Sequence, residues 1–448
     1  MPPRRIRRTT TTHTTPPAAS PAAPLAAALL AAAVLAGCGA AGDASPLAGE
    51  WTAERDTVGD TVVVRTVSGS VWGREARLVP GLTIGVLEGE PEYMLGNVRS
   101  LAVAPDGSIY LFDGHVPALR KYSSEGEYVA TFGREGGGPG EYESPDGGLA
   151  VLPDGRVLLR DPGNARINVY SPDGEPLDGW PIRGGFTTSR PLFVDTAGNA
   201  YTQALLDPEA DIRDWRMGLI RYGPDGTTGD TLPAPTWDYE EARIIAQRET
   251  GTSMSSVPFS PTDTWTFSPF GYFVGGVSTR YAIDLFRSDS PVLRIERAAE
   301  PVPVDPDEKA DARRRRTASM RGTDPNWRWN GPSIPDVKPP FRSVLAGRRG
   351  RIWVRVPQPG ERIEDVDDPG ADETQPGEVP EPRWREPLAF DVFEADGRYL
   401  GRVHAPDDLA FSPMPVIDGD RVWAVVRDEL DVQYVARFRI GEPAAGGS

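Results

Sequence analysis

Between Leu149 and Tyr170 the apolar residues fall into short runs, Leu149 to Leu152, Arg156 to Asp161 and Ala165 to Tyr170, each bounded by turn residues such as Pro153-Asp154-Gly155. These runs are too short for helices and rich in Val, Ile, Leu and Tyr, which suit a pleated surface, so they predict strands. A fourth run follows Asp173-Gly174, and together they read as a four-stranded antiparallel meander. The pattern repeats. LAVAPDGSIYLFD (Leu101 to Asp113) returns as LAVLPDGRVLLRD (Leu149 to Asp161), a shift of 48 residues, and SSEGEYVATFG answers SPDGEPLDGWP at the same shift.

The Gly between the first two strands marks further copies at Gly198, Gly271, Gly350 and Gly419, after Gly107 and Gly155. A lone meander cannot bury both of its faces, so the copies are expected to stack radially as an all-β, six-bladed β-propeller with four-stranded blades. The two chain ends complement one another. Leu82 to Leu87 parallels a fourth strand, with Gly85 mapping to Gly133, whereas the last copy has only Pro415 to Asp418, Arg421 to Arg427 and Val432 to Ile440. The N-terminal strand is therefore expected to close the ring and leave no open sheet edge.

The stretch from Gly136 to Ile167 resembles the NHL-repeat and related six-bladed propellers. Their blades carry a Gly-rich start, a G-[IL]-A-V-x-x-D-G turn, a strand ending in Asp and an N-x-R-[IV] strand. The matching residues are Gly136 to Gly140, GLAVLPDG (Gly148 to Gly155), Asp161, and Asn164, Arg166 and Ile167. The resemblance implies the fold and leaves function open, because propellers host many unrelated activities.

Four long insertions interrupt the repeats: Leu205 to Met217, Pro233 to Trp265, Ala299 to Phe341 and Pro357 to Pro387. Connections in a meander alternate between its two ends, so strand parity assigns all four to one face, the expected site of binding on a rigid scaffold. Asp305-Pro306-Asp307-Glu308 reads as a helix start, with an N-cap, Pro at N1 and an acid at N3, predicting a helix over Pro306 to Arg321. Arg313, Arg314, Trp327 and Trp329 then form a candidate lid that meets an anionic group. The acidic, Pro-rich stretch Glu361 to Glu381 is expected to be a mobile flap.

The 448-residue chain has 48 basic and 65 acidic residues, a net charge of −17, which argues against nucleic acid and anionic lipid surfaces as partners. Its 49 Gly and 46 Pro fit a turn-dense β protein. Arg4, Arg5, Arg7 and Arg8, an apolar run from Leu25 to Val34 and the lipobox Leu35-Ala36-Gly37-Cys38 read as a bacterial lipoprotein signal, with lipidation at Cys38. The expected organisation is a signal peptide over 1–37, a tether over 38–50, the propeller over 51–441 and a disordered tail over 442–448. The mature chain would have no disulfide, since Cys38 is the only Cys.

No G-x-S-x-G, H-E-x-x-H or phosphate-loop motif occurs. With His13 in the leader, His115 and His404 are too few for a three-His zinc site. Asp365-x-Asp367 fails as a calcium loop because Pro369 and Pro376 occupy its fifth and twelfth positions. Asp113, His115, Arg160, Asp161, Asn164 and Arg166 cluster at second-strand ends on the elaborated face as candidate ligand-binding residues. Their Asp and Asn side chains suit turn capping through hydrogen bonds to the backbone better than they suit metal binding. No cofactor is expected, and a divalent metal such as calcium has no motif behind it. The leading expectation is a monomeric, lipid-anchored cell-envelope module that binds a protein, peptide or glycan. The alternatives are a metal-dependent hydrolase or lactonase at the channel mouth and a purely structural envelope component.

Overall fold

The computed structural model describes residues 50–441 except 185–186, 250, 288–289 and 365–377. The leader with Cys38, the tail 442–448 and the centre of the acidic stretch 361–381 thus lie outside the described residues. Nearly everything described is β, with one α-helix, α1 (Pro306–Thr323), and one turn of 3₁₀ helix at Ile212–Asp214. None of the described helices is long and apolar enough to cross a membrane.

The strands pair mainly in chain order. Val98–Val103, Ile109–Asp113, Ala118–Tyr122 and Tyr128–Phe132 form one antiparallel sheet. Leu149–Val151, Val157–Asp161, Arg166–Tyr170 and Pro176–Pro181 form the next, and four strands between Phe193 and Pro233 the third. The tight turns inside these sheets need left-handed backbone, which Gly107 (φ 91°) and Gly155 (φ 88°) adopt without a Cβ penalty. Second strands such as Ile109–Asp113 and Val157–Asp161 are buried along their whole length, because neighbouring sheets cover both faces.

The chain start is used twice. Strands β1 (Thr52–Val58) and β2 (Thr61–Ser68) extend the fourth sheet, with β2 lying parallel to Ser290–Arg297 and Val62 opposite Leu293. The repeat pattern predicts neither β1 nor this parallel pairing. Strand β3 (Ala76–Ile84) pairs antiparallel with Gln433–Gly441, from Arg77 opposite Gly441 to Ile84 opposite Val435. It begins earlier than the expected Leu82, with a bulge between Pro80 and Leu82. A short parallel contact, Val403 with Ala76, also joins β3 to the preceding sheet.

Side-chain packing follows the same circuit. Phe112 and Phe132 of the first sheet meet Leu149 and Tyr170 of the second, and Val169 and Trp180 meet Leu192 and Tyr222 of the third. Later clusters join Phe193 to Phe267, Ile295 to Phe393, and Phe390 to Phe438. The last one joins Trp423, Val435 and Ile84 to Leu101, Leu111 and Tyr122, so the final sheet packs back on the first.

Helix α1 is capped as its sequence predicts, the Asp305 carboxylate accepting from the Asp307 N–H at 2.8 Å. It runs two residues beyond the expected Arg321. It has no apolar stripe, and its buried residues are Glu308, Asp311 and Met320. Met320 anchors its far end in a small core with Ile244, Ala246, Val257, Trp327 and Ile334, against a hairpin of Arg243–Arg248 and Gly251–Ser256 that lies inside the 233–265 insertion. Its near end is held by charge.

Candidate functional site

Three of the four insertions meet beside the fifth sheet in chain order, made of Ser343–Ala346, Ile352–Val356, Ala389–Phe393 and Tyr399–His404. Phe259 comes from the 233–265 insertion, Glu308, Asp311, Ala312 and Arg315 from α1, and Trp384, Arg385 and Glu386 from the 357–387 insertion. With Arg342 and Arg355, at the start of the fifth sheet and on its second strand, they line a cavity of about 190 Å³.

Lys338 organises one wall. Its side chain is fully buried, and its ammonium donates to Glu308 Oε1 at 2.6 Å, Glu386 Oε2 at 2.8 Å and the Gln358 carbonyl at 2.9 Å. Three N–H groups thus meet three acceptors, the full donor capacity of a lysine. The Phe259 ring lies 5.3 Å from this ammonium and 5.3 Å from the Arg342 guanidinium, within cation–π range of both. Arg342 Nη2 also reaches Glu386 Oε2 at 2.8 Å. Burial alone would push the Glu386 carboxyl up, but Arg342 and Lys338 together hold it below its ordinary value. Gly360 permits this closeness, since a Cβ there would stand 2.6 Å from the Glu308 carboxyl carbon.

Arg355 is placed differently. Burial pulls its pKa down against the attraction of Glu386, its Nε has no partner within the protein, and its guanidinium lies over the Phe411 ring at 5.5 Å. It remains cationic near neutral pH, as guanidinium groups in proteins do. Other lining charges are matched locally: Asp311 with Arg314 at 2.6 Å, and Arg385 with Glu361 and Asp407, each at 2.9 Å. That leaves Arg315, Arg342 and Arg355 on the wall, with Lys338 buried behind it, against two carboxylates, Glu308 and Glu386, so the pocket carries excess positive charge inside an acidic protein.

The residues singled out from sequence are placed otherwise. The Asp113 carboxylate accepts from the N–H groups of Gly96, Asn97 and His115 at 2.9–3.0 Å and faces Arg120 at 3.4 Å. Asp161 does the same one repeat later, accepting from Glu143, Ser144 and the Asn164 side chain at 2.8–3.0 Å. Arg160 forms a buried ion pair with Asp146, and Arg166 bonds Asn168 Oδ1 and the Glu141 carbonyl, each at 2.8 Å. These side chains pin loops to their sheets, which is the turn-capping role, and His115 is exposed beside them.

On the lid, Trp327 is buried and donates to the Ile245 carbonyl at 2.8 Å, while Trp329 lies under Arg313 at 4.9 Å and bonds the carbonyls of Gly331 and Pro332. Both Trp residues seat the 324–332 segment, and neither lines the pocket. Arg314 bonds Asp311 and the Glu381 carbonyl. Sequence reading missed Lys338, Glu386, Arg342 and Arg355, and took Glu308 only as the acid at N3 of the helix start. One signal was available, since only Lys121, Lys309 and Lys338 are Lys among 48 basic residues.

A second cavity, of about 280 Å³, is lined by the first strands of successive sheets: Leu101 to Val103, Leu149 to Val151, Phe193 and Val194, Thr266 and Phe267, Leu345 and Ala346, and Val416 and Ile417. Its wall is mostly apolar and includes the ionisable residues Asp195 and Arg348. Arg348 donates to the Val103 carbonyl at 3.0 Å. Among the described residues, no group of three or more His, Cys, Asp or Glu is arranged to hold a metal ion.

No protein-family model matches the sequence, and no curated protein matches it. Among solved structures the chain is similar to a DUF4221-family member from Bacteroides vulgatus, with TM-score 0.47 and 13% identity, over 82% of this chain and 99% of that one. It is similar to a protein of Bacteroides fragilis described as exported, with TM-score 0.42 and 10% identity, over 82% and 95%. A gluconolactonase from Xanthomonas campestris gives TM-score 0.37 and 12% identity, over 81% and 99%. None is close enough to lend its activity to this chain.

Proposed function

We propose that the protein is a six-bladed β-propeller, exported and lipid-anchored through Cys38, that works as a binding module for an acidic group of a peptide or glycan. Two features support the propeller reading: the closed circuit of packed sheets, and the single cavity that six first strands share. The lipobox supports the anchor.

The binding reading rests on one observation. With Asp311 matched by Arg314 and Arg385 by Glu361 and Asp407, the pocket wall where three insertions meet presents Arg315, Arg342 and Arg355 against Glu308 and Glu386, which the buried Lys338 also neutralises from behind. Guanidinium groups in a confined, poorly solvated site attract carboxylates and phosphates more strongly than they would in water. The reading is tested by titrating the full chain, in detergent, with acidic and neutral peptides and glycans. Arg342→Met and Arg315→Ala should each weaken binding of the acidic ligands by about tenfold, and Asp106→Ala, in a distant Gly turn, should leave it unchanged. Affinity should fall as salt is raised. Binding indifferent to the pocket substitutions would refute this placement, and turnover of a lactone or ester substrate in the same samples would favour the hydrolase alternative.

A further inference from the structure

Three polar atoms around the pocket are buried without a partner in the protein: Glu308 Oε2, Glu386 Oε1 and Arg355 Nε. The Glu308 and Glu386 side chains are 5% and 11% exposed, so solvent is no substitute. Leaving such atoms unpaired is costly, and native proteins tolerate it chiefly where the site has other work.

The orphans are of opposite kinds. Carboxylate oxygens only accept, whereas a guanidinium N–H only donates. A bare anion would satisfy Arg355 and be repelled by Glu308 and Glu386. A neutral polyol would satisfy the two oxygens and leave the excess positive charge of Arg315, Arg342 and Arg355 unanswered. One small molecule meets all three needs if it carries both a negative group and hydroxyl donors.

We infer that the pocket under α1 takes a small hydroxylated anion, a sugar-like acid whose charged group is a carboxylate or a phosphate. This rests on the reading of the pocket as an anion site and narrows its ligand. The two halves of recognition sit on different elements. Arg342 and Arg355 belong to the fifth sheet, while Glu308 belongs to α1, so a bound ligand bridges the helix to the sheet.

The test is calorimetric titration of the full chain in detergent with four probes of similar size. Glucuronate carries hydroxyls and a carboxylate, and glucose 6-phosphate carries hydroxyls and a phosphate. Cyclohexanecarboxylate has the charge alone, and methyl glucoside the hydroxyls alone. At least one of the first two should bind about tenfold more tightly than either control, because a site built to bond hydroxyls rejects analogues that lack them. Which of the two wins identifies the charged group. Arg355→Met should weaken that probe by about tenfold, and Glu308→Gln should reduce its advantage over cyclohexanecarboxylate.

Equal binding of glucuronate and cyclohexanecarboxylate would overturn this inference and leave the anion site standing. Equal binding of methyl glucoside would overturn its charged half. If Arg342→Met and Arg355→Met, both folded by melting temperature, bind the preferred probe like the wild type, the pocket assignment itself fails. The ranking of the four probes on the wild-type chain decides the ligand class even if a variant does not fold.

Discussion

Replacing Lys338 by Met should release the near end of α1. The side chain is fully buried and its ammonium holds Glu308, Glu386 and the Gln358 carbonyl. Methionine fits the aliphatic volume but leaves two carboxylates facing one another without their shared cation. Removing one partner of a buried ion pair costs about 3–5 kcal/mol, most of it from the charge left behind. If that loss were felt globally, an unfolding entropy of about 2.1 cal/mol/K per residue over a chain this long would turn it into a fall of about 3–6 °C in melting temperature. A local response is equally available, because Glu308 is on a helix with no apolar stripe and only Met320 and its neighbours fasten the far end. Amide exchange measured peptide by peptide separates the two: residues 306–315 should lose protection while Val157–Asp161 keeps it. Adding Glu308→Gln to Lys338→Met should recover much of the loss, since Glu386 keeps Arg342 as its cation and no buried carboxylate is then stranded. An unchanged melting temperature together with unchanged exchange over 306–315 would refute the idea that this lysine holds the helix.

Three further outcomes are expected. The Glu386 carboxyl is held below its ordinary value of 4.5 in the folded protein, so its stabilising contribution is fully present above that pH and is lost as pH falls through the lower folded value; exchange over 306–315 should rise only at more acidic pH, and at a higher pH in Lys338→Met. Removing residues 39–50 should leave the melting temperature unchanged, whereas removing 39–90 deletes β3, with Ala76, Leu78 and Ile84 from two cores, and should give an aggregating or unfolded chain; equal melting of the two truncations would disprove closure by β3. Cys38→Ser should abolish palmitate labelling and membrane fractionation after a carbonate wash, and continued labelling would rule out that anchor.

The reading of Asp113 and Asp161 shows where local pattern stops being informative. Each ends a strand and precedes a turn, a position where the sequence favours a turn cap over a ligand without excluding the ligand. The three backbone N–H groups around Asp113, and the two with the Asn164 amide around Asp161, decide for the cap. Trp327 and Trp329 are a related case, as an aromatic pair after an Arg-rich helix suits a binding lid. Their indole N–H groups instead bond the backbone at Ile245, Gly331 and Pro332, fixing the segment to the neighbouring hairpin.

The strand and turn pattern and the start of α1 are written locally, because strand alternation, left-handed Gly turns and an Asp-Pro helix start depend on residues close in sequence, and the 48-residue shift is that local pattern repeated. The pocket is not written that way. Glu308, Lys338 and Glu386 are separated by 30 and 48 residues and lie in insertions that repeat nothing, so no period marks them. Only the tertiary structure brings those loops to one place, and only burial turns an ordinary glutamate and lysine into a cluster whose charges must be matched. The parallel seating of β2 beside Ser290–Arg297 belongs to the same class, since a strand's own sequence states that it will pair but not with which distant edge.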